Sequence, residues 1–460
     1  MKGFFHAIEI DYNKCIGCAH CMKACPTEAI RIVNGKADLS AERCVDCGEC
    51  FRVCPVDAYS VVHDDMETMM QFDCRVALIP SVFYGQFPSA VPPKLVRKLM
   101  KDIGFTHIYG IEAGVNLLRD QINKQVDKAE IKPLISSFCP AVVRTIQVKF
   151  PSLVDNIIHL KAPADVAAEY YREKLHEEGF DKNRIGIFYL TPCAAKIAAI
   201  KSPVGEEKSQ IDGVININTV YNKLLKILKT ENPPIPDEVE ENILDDISIR
   251  WPLTNGEAKH IKGRSLSIDG IRNTNAFLEK VENDEMNSVN FLELRMCDES
   301  CAGGILNCDN RFLIVERLNN RVKEHRDRFQ EKNGPTVRNF NDKADYLTER
   351  IFLNQPIEPR SIVLDEDMVK AMKKMQRARD LMCYLPGIDC GACGAPTCRT
   401  LAEDIVNRKA NLSHCIFMQR QMEKHKKLSP DHAIKIIEKV WGKSRLDKDC
   451  TKKGAKNENI

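Results

Sequence analysis

No apolar run in this 460-residue sequence approaches the roughly 20 residues that a helix needs to span a bilayer. The longest are short segments such as Val76-Ala-Leu-Ile-Pro80. The opening residues, MKGFFHAIEI, lack an uninterrupted apolar core, and Asp11 follows directly, so no secretion signal is expected. An excess of one charge is missing as well. The 67 Lys+Arg balance 65 Asp+Glu, and nothing demands an acidic partner such as nucleic acid. None of the eleven histidines forms a ligand-spaced pair. These absences predict a soluble, cytoplasmic protein with no membrane span. The hydrophobic fraction of 43% is ordinary for a globular protein. The length exceeds one ordinary domain and suggests two or three.

What the sequence has in quantity is cysteine: 20 residues. In a long chain without a secretion signal these do not read as a disulfide framework, and reduced thiols are free to hold metal. Their spacing separates three regions: a cysteine-dense start (1–64), a long cysteine-poor middle (65–355) and a mostly helical end with one tight cysteine knot (356–460). Two prolines make 354–360 (NQPIEPR) a plausible linker. The charged tail from Lys443 is expected to fray. In the middle region, 75–79, 184–190 and 288–294 read as strands, and 93–103 and 164–178 as helices. Pro163 stands just ahead of the latter, where a helix start tolerates it. Such alternation predicts an α/β sheet covered on both faces. Cys193 and Cys297 fall just past predicted strands, and the carboxyl ends of strands are where open α/β sheets bind ligands.

Cys15, Cys18, Cys21 and Cys25 precede Pro26; Cys44, Cys47, Cys50 and Cys54 precede Pro55. Both runs have the spacing of bacterial ferredoxins, in which the fourth cysteine of each run serves the other cluster. One 4Fe–4S cluster therefore takes Cys15, Cys18, Cys21 and Cys54, and the other takes Cys44, Cys47, Cys50 and Cys25. Two-residue gaps wrap a thiolate loop around three corners of a cube, and the proline turns the chain out. Between the runs, 30–33 and 36–39 read as a β-hairpin around Asn34-Gly35. The alternative, zinc, usually takes two CxxC pairs rather than this eightfold template.

Near the end, Cys390, Cys393, Cys398 and Cys415 form CGACGAPTC plus a late fourth cysteine. Residues 382–418 resemble the four-cysteine cluster domain of corrinoid iron–sulfur proteins and of the cluster-bearing subunit of bacterial electron-transport complexes. A third 4Fe–4S cluster is the expectation, and a zinc knuckle is the alternative, because four thiolates suit either metal.

Cys139, Cys193, Cys297 and Cys301 are far apart, and spacing alone would leave them as small buried hydrophobes. Their flanks say more. Ser136-Ser-Phe-Cys-Pro140, Thr191-Pro-Cys-Ala-Ala-Lys196 and Met296-Cys-Asp-Glu-Ser-Cys301 resemble the three signature segments of FeFe-hydrogenases, roughly TSCCP, MPCxxK and ACxxGC. Phe150-Pro-Ser-Leu-Val, Lys161-Ala-Pro and Val76-Ala-Leu-Ile-Pro-Ser-Val82 resemble further stretches of that family. The resemblance spans about 70–320.

It implies an α/β multidomain protein: an N-terminal ferredoxin-like α+β domain (1–64), a central two-lobed α/β hydrogenase domain (65–355), and a small mostly α C-terminal cluster domain with a helical tail (356–460). It also implies an H-cluster. Cys139, Cys193 and Cys297 would hold a 4Fe–4S cube. Cys301 would bridge that cube to a diiron subsite with carbonyl, cyanide and azadithiolate ligands. Lys196, otherwise a surface lysine, would donate a charged hydrogen bond to a cyanide, as suits a point-charge ammonium beside a small anion. The implied reaction interconverts protons plus electrons and dihydrogen. Its partners would be ferredoxin or a similar electron carrier and the hydrogenase maturation factors.

The sequence also departs from the family pattern. Phe138, which carries no exchangeable proton, replaces the cysteine that passes protons. Thr191 stands where methionine is common. The glycine-rich stretch after the last ligand shrinks to Ala302-Gly303-Gly304-Ile305. Asp120 is the only candidate relay acid in 118–123, and such an acid is more often solvated. These changes resemble sensory and other divergent members. The alternatives are thus a slow hydrogen sensor with a signalling partner, or a non-catalytic relative of cluster-assembly factors that lacks diiron. Cys74, Cys308, Cys383 and Cys450 remain as structural thiols, with Cys308 close enough in sequence to line the site.

Overall fold

The computed structural model describes residues 4–231, 233–236, 244–329, 340–360, 364–365 and 367–446. Eleven strands among these residues are numbered in chain order. They are β1 (Ile8–Ile10), β2 (Ile30–Val33), β3 (Lys36–Leu39), β4 (Tyr59–Val61), β5 (Cys74–Ile79) and β6 (His107–Gly110), then β7 (Leu134–Ile135), β8 (Ile185–Thr191), β9 (Gly213–Asn216), β10 (Ser265–Asp269) and β11 (Phe291–Arg295). The chain divides into two compact units. One comprises Met1–Ala7, Val45–Gly48 and Val61–Arg360; the other comprises Ile8–Cys44, Glu49–Ser60 and Ser361–Ile460. The architecture is mixed α/β and multidomain, with a small helical C-terminal region, as the sequence predicts.

The first unit is built on two parallel sheets, one in the order β6-β5-β8-β9 and one in the order β10-β11-β7. β5 and β8 are largely apolar runs with almost every residue buried, which is the mark of parallel strands covered on both faces, and β11 is equally buried although it carries Glu293 and Arg295. The expected strands at 75–79 and 184–190 are β5 and β8. The third begins three residues late, at Phe291, because Asn290 is occupied with a turn. Its Oδ1 accepts from the Arg264 backbone N–H at 3.0 Å, and Ser288 Oγ accepts from the Arg264 guanidinium. The expected helices appear as Pro93–Asp102 and Pro163–Glu177, each with proline in its first turn. No helix among the described residues is long and apolar enough to cross a membrane.

In the second unit, β2 and β3 form the expected antiparallel hairpin in register Ile30↔Leu39 to Val33↔Lys36. Asn34 and Gly35 both take positive φ (50° and 71°), the geometry that a tight two-residue hairpin turn requires. β1 pairs with β4. The helices Met368–Met382, Cys398–Val406, Ile416–Lys424 and Pro430–Trp441 make up the C-terminal part. Its small core gathers Leu381, Leu385, Leu401, Val406 and Met418 around Cys398 and Cys415. Lys443–Leu446, expected to fray, form a further short helix. The rest of the tail, including Cys450, lies outside the described residues.

Candidate iron–sulfur and hydrogenase-type site

The strands of the first unit place its cysteines. Cys193 lies two residues past β8 and caps the helix Ala194–Lys201. Cys297 lies two residues past β11, and Cys139, a little beyond β7, caps the helix Pro140–Lys149. Cys301 sits in a short turn of 3-10 helix, Ser300–Gly303. All three loops therefore leave the carboxyl ends of parallel strands. Cys139, Cys193 and Cys301 are close enough to act on one another electrostatically. Burial first, and then Cys139 and Cys301, push the Cys193 thiol up to about 11, against the pull of Lys196. Lys196 Nζ stands 3.5 Å from Cys301 Sγ and is 9% exposed. Burial alone would strip its charge. The thiolates of Cys301, Cys193 and Cys139, with Tyr189, outweigh that and hold its pKa above the usual lysine value.

A second buried cation shares the site. Arg295, at the end of β11, is 1% exposed. Its Nη2 donates to Glu257 Oε2 at 2.7 Å, and Ser136 Oγ donates to the same oxygen at 2.7 Å. Burial opposes the guanidinium charge, but Glu257 and Glu293, then Cys301 and Cys139, more than restore it. Glu293 is itself fully buried and accepts from the backbone N–H groups of Asn255, Glu257 and Ala258. The ring of Phe138 contacts both cations. Lys196 Nζ is 4.4 Å from its centroid, and Arg295 Cζ is 4.2 Å from it. Glu112 is wholly buried, and its carboxylate accepts from Ser81 N–H at 3.0 and 3.2 Å. Burial pushes it up to about 8 despite those bonds and the nearby Lys196.

In the second unit, Cys21 is pushed up by burial and then by Cys18 and Cys15, so these three stand together. Cys50 is pushed up by burial, then by Cys44, Cys25 and Cys21. Backbone N–H groups donate to sulfur at Cys15 (from Ala37, 3.3 Å), Cys25 (from Ala29, 3.2 Å) and Cys54 (from Ala58, 3.3 Å). Cys47 belongs to the first unit and packs against the same core as Cys139 and Cys193. Cys393 is pushed up to about 11 by burial and by Cys390 and Cys415, and Cys398 shares a core with Cys393 and Cys415.

Residues 74–254 match the family described as iron only hydrogenase large subunit, C-terminal domain. That stretch is similar to the iron-only hydrogenase family. The match includes Cys139, Cys193 and Lys196. Residues 7–74 match a 4Fe–4S dicluster domain, and 385–417 a putative Fe–S cluster domain. Iron hydrogenase 1 of Clostridium pasteurianum is 27% identical over 263 residues, covering 50% of this chain and 45% of that protein. An uncharacterized protein of Methanocaldococcus jannaschii is 35% identical over 67 residues, covering 15% of this chain and 30% of its own. The chain thus spans less than half the length of these relatives. Two structures of FeFe-hydrogenase HydA1 from Chlamydomonas reinhardtii, one of them of the apo protein, each align with a TM-score of 0.46. Their identities are 14% and 13%, over 65% of this chain and 97% of theirs.

The residues around the hydrogenase-type site suit an anionic metal–thiolate group. The thiols of Cys139, Cys193 and Cys301 stand near two cations that are buried beyond ordinary lysine and arginine. Arg295 Nε and Trp251 Nε1 are buried without a hydrogen-bond partner, as polar atoms are when they face a further polar group. Sequence reading missed Arg295, Glu257, Glu293 and Glu112. The available signal was a charge inside an apolar strand, as in Leu294-Arg295-Met296. Asp120, the candidate relay acid, lies elsewhere: it is 57% exposed and paired with Arg119 at 2.8 Å. Cys308 is exposed, its backbone N–H bound by Gln86. Cys74 is buried in β5 with His107 Nδ1 at 3.2 Å, and Cys383 is exposed at the end of its helix.

Proposed function

We propose that this iron–sulfur protein is a cytoplasmic FeFe-hydrogenase-type oxidoreductase that interconverts protons plus electrons with dihydrogen at low turnover. Its modules are 1–64 for two 4Fe–4S clusters, 65–355 for the H-cluster and 356–460 for a third 4Fe–4S cluster. The observation that carries this reading is the meeting of Cys139, Cys193 and Cys301 with the buried ammonium of Lys196. Cys139, Cys193 and Cys297 would hold the cube, and Cys301 would hold the cube and the diiron unit together. When bound, that group supplies the hydrogen chemistry and the electron store. The chain supplies the charge balance around it. Lys196 would direct its ammonium at a cyanide, and Arg295, anchored by Glu257, would add a second fixed positive charge. Phe138 excludes water and cannot hold a proton. Electrons would pass through the 4Fe–4S clusters to or from ferredoxin or a similar carrier, and maturation factors would install the diiron unit.

The same Phe138 supports a second reading, a hydrogen sensor that uses this cofactor slowly and signals to a partner. The infrared spectrum of the matured protein is the test. Carbonyl and cyanide bands are expected. Their absence after maturation would reduce the chain to a non-catalytic iron–sulfur relative without diiron. Hydrogen turnover per diiron then separates the metabolic reading from the sensory one.

A further inference from the structure

The C-terminal helices and the ferredoxin-type segment lie in one compact unit and are joined by bonds of several kinds. Ile32 N–H donates to Gly394 O at 2.8 Å, Asn34 N–H to Lys439 O at 2.7 Å, and Gly35 N–H to Val440 O at 2.9 Å. Ile32 in β2 and both residues of the hairpin turn are thereby hydrogen-bonded to the C-terminal part. Arg31 grips Asp404 with two bonds, Nε to Oδ2 at 2.6 Å and Nη2 to Oδ1 at 3.3 Å, and Arg43 pairs with Glu403 at 2.5 Å. All four side chains are only 16–18% exposed. Largely desolvated pairs of this kind, the first of them bidentate, fix orientation more than exposed ones do. Arg445 donates to Gly17 O, inside the first cysteine loop. Trp441 Nε1 donates to Ala392 O at 2.9 Å, inside the last one.

These bonds bring two ligand loops against each other. Met22 follows Cys21 and is 1% exposed. Gly391 follows Cys390, and a Cβ placed on it would stand 2.9 Å from Met22 Cε. Its φ of +77° also favours glycine, so the backbone itself approaches the methionine. The soft thioether of Met22 thus packs against the Cys390 loop. Cys390 itself is exposed to solvent.

We infer that the C-terminal four-cysteine site exchanges electrons directly with the first ferredoxin-type cluster, that of Cys15, Cys18, Cys21 and Cys54, across the Met22–Gly391 contact. This rests on both sites holding 4Fe–4S clusters. One electron leaves a reduced one-electron carrier at the exposed Cys390 side, resides on the C-terminal cluster and passes to the first ferredoxin-type cluster. No bond forms or breaks. The C-terminal module is thus the outer end of the electron chain rather than a structural appendage, and the two ion pairs keep the separation fixed.

The test uses the full chain, reconstituted anaerobically with iron and sulfide and reduced with dithionite, and reads electron paramagnetic resonance together with metal content. The fully reduced chain should show spin–spin broadening of the first-cluster signal. Cys415→Ser should lose that broadening together with about four irons per chain. Should that variant fold poorly, Glu403→Arg with Asp404→Arg keeps all cysteines, and should lose the broadening at unchanged iron content. Adding Arg31→Asp and Arg43→Asp should restore it. A spectrum of the unaltered chain equal to the Cys415→Ser spectrum plus an isolated cluster signal would overturn the inference while leaving the cluster in place. Zinc at the C-terminal site, with no iron lost in Cys415→Ser, would instead overturn it through its premise.

Discussion

Lys196 Nζ stands 4.4 Å from the centre of the Phe138 ring and 3.5 Å from Cys301 Sγ. One aromatic face thus steers the ammonium that faces the bridging thiol, while Arg295 lies 4.2 Å from the same ring. Each such contact is worth about 0.5–2 kcal/mol, more when desolvated. The residue that removes a proton carrier from the family pattern therefore also holds two charges in place.

That double role shapes the response to Phe138→Cys. A missing general acid or base costs a factor of about a hundred to ten thousand in rate, so a thiol at 138 should speed hydrogen evolution. The gain should fall short of that range, because Lys196 and Arg295 lose their shared ring and Asp120 stands away from the site. Hydrogen production from a reduced dye, normalised to diiron content by infrared, measures it. An unaltered protein as fast as standard members would show that protons travel another way and that Phe138 is not the brake.

Cys301 should matter for the diiron unit more than for the cube. Cys301→Ser in the matured protein should abolish the carbonyl and cyanide infrared bands while the N-terminal clusters keep their reduced spectra. Normal bands in that variant would remove the bridging assignment.

Metal content checks the cluster inventory as a whole. Four cubes and a diiron unit come to about eighteen irons per chain, and the protein made without maturation factors should hold about sixteen. About twelve irons with one zinc in the unmatured protein would place zinc at Cys390, Cys393, Cys398 and Cys415.

Glu112 gives a pH signature. Its carboxyl is raised from an ordinary value of 4.5 to about 8, with burial the leading cause. The folded chain keeps this proton where the unfolded chain releases it. Its contribution to stability is therefore complete below about pH 4.5 and is lost as pH rises through about 8. Glu112→Gln keeps a neutral hydrogen-bonding group. The variant should melt higher than the unaltered protein near pH 9 and show little difference near pH 5. Equal pH dependence of the two melting curves would mean that Glu112 is ionised throughout.

The sequence by itself determined the local features whose physics is local. Cysteine spacing marked the two ferredoxin-type runs. Asn34-Gly35 set the hairpin, because both residues tolerate positive φ. Unbroken apolar runs marked β5 and β8 as strands covered on both faces, and prolines 93 and 163 marked helix starts. Flanking motifs singled out Cys139, Cys193, Cys297 and Cys301, which spacing could not join. Only the tertiary structure decided which charges are buried among them. Glu293 and Arg295 share β11, but Glu257 and Glu112 come from other segments, and a charge inside an apolar run shows its partners only once the sheets have formed. The fold also removed Asp120 from the site, because its position on the helix Val115–Lys128 faces solvent. The Met22–Gly391 contact joins residues at opposite ends of the chain, and pairing across that separation depends on the hairpin edge and on two ion pairs that no local pattern encodes.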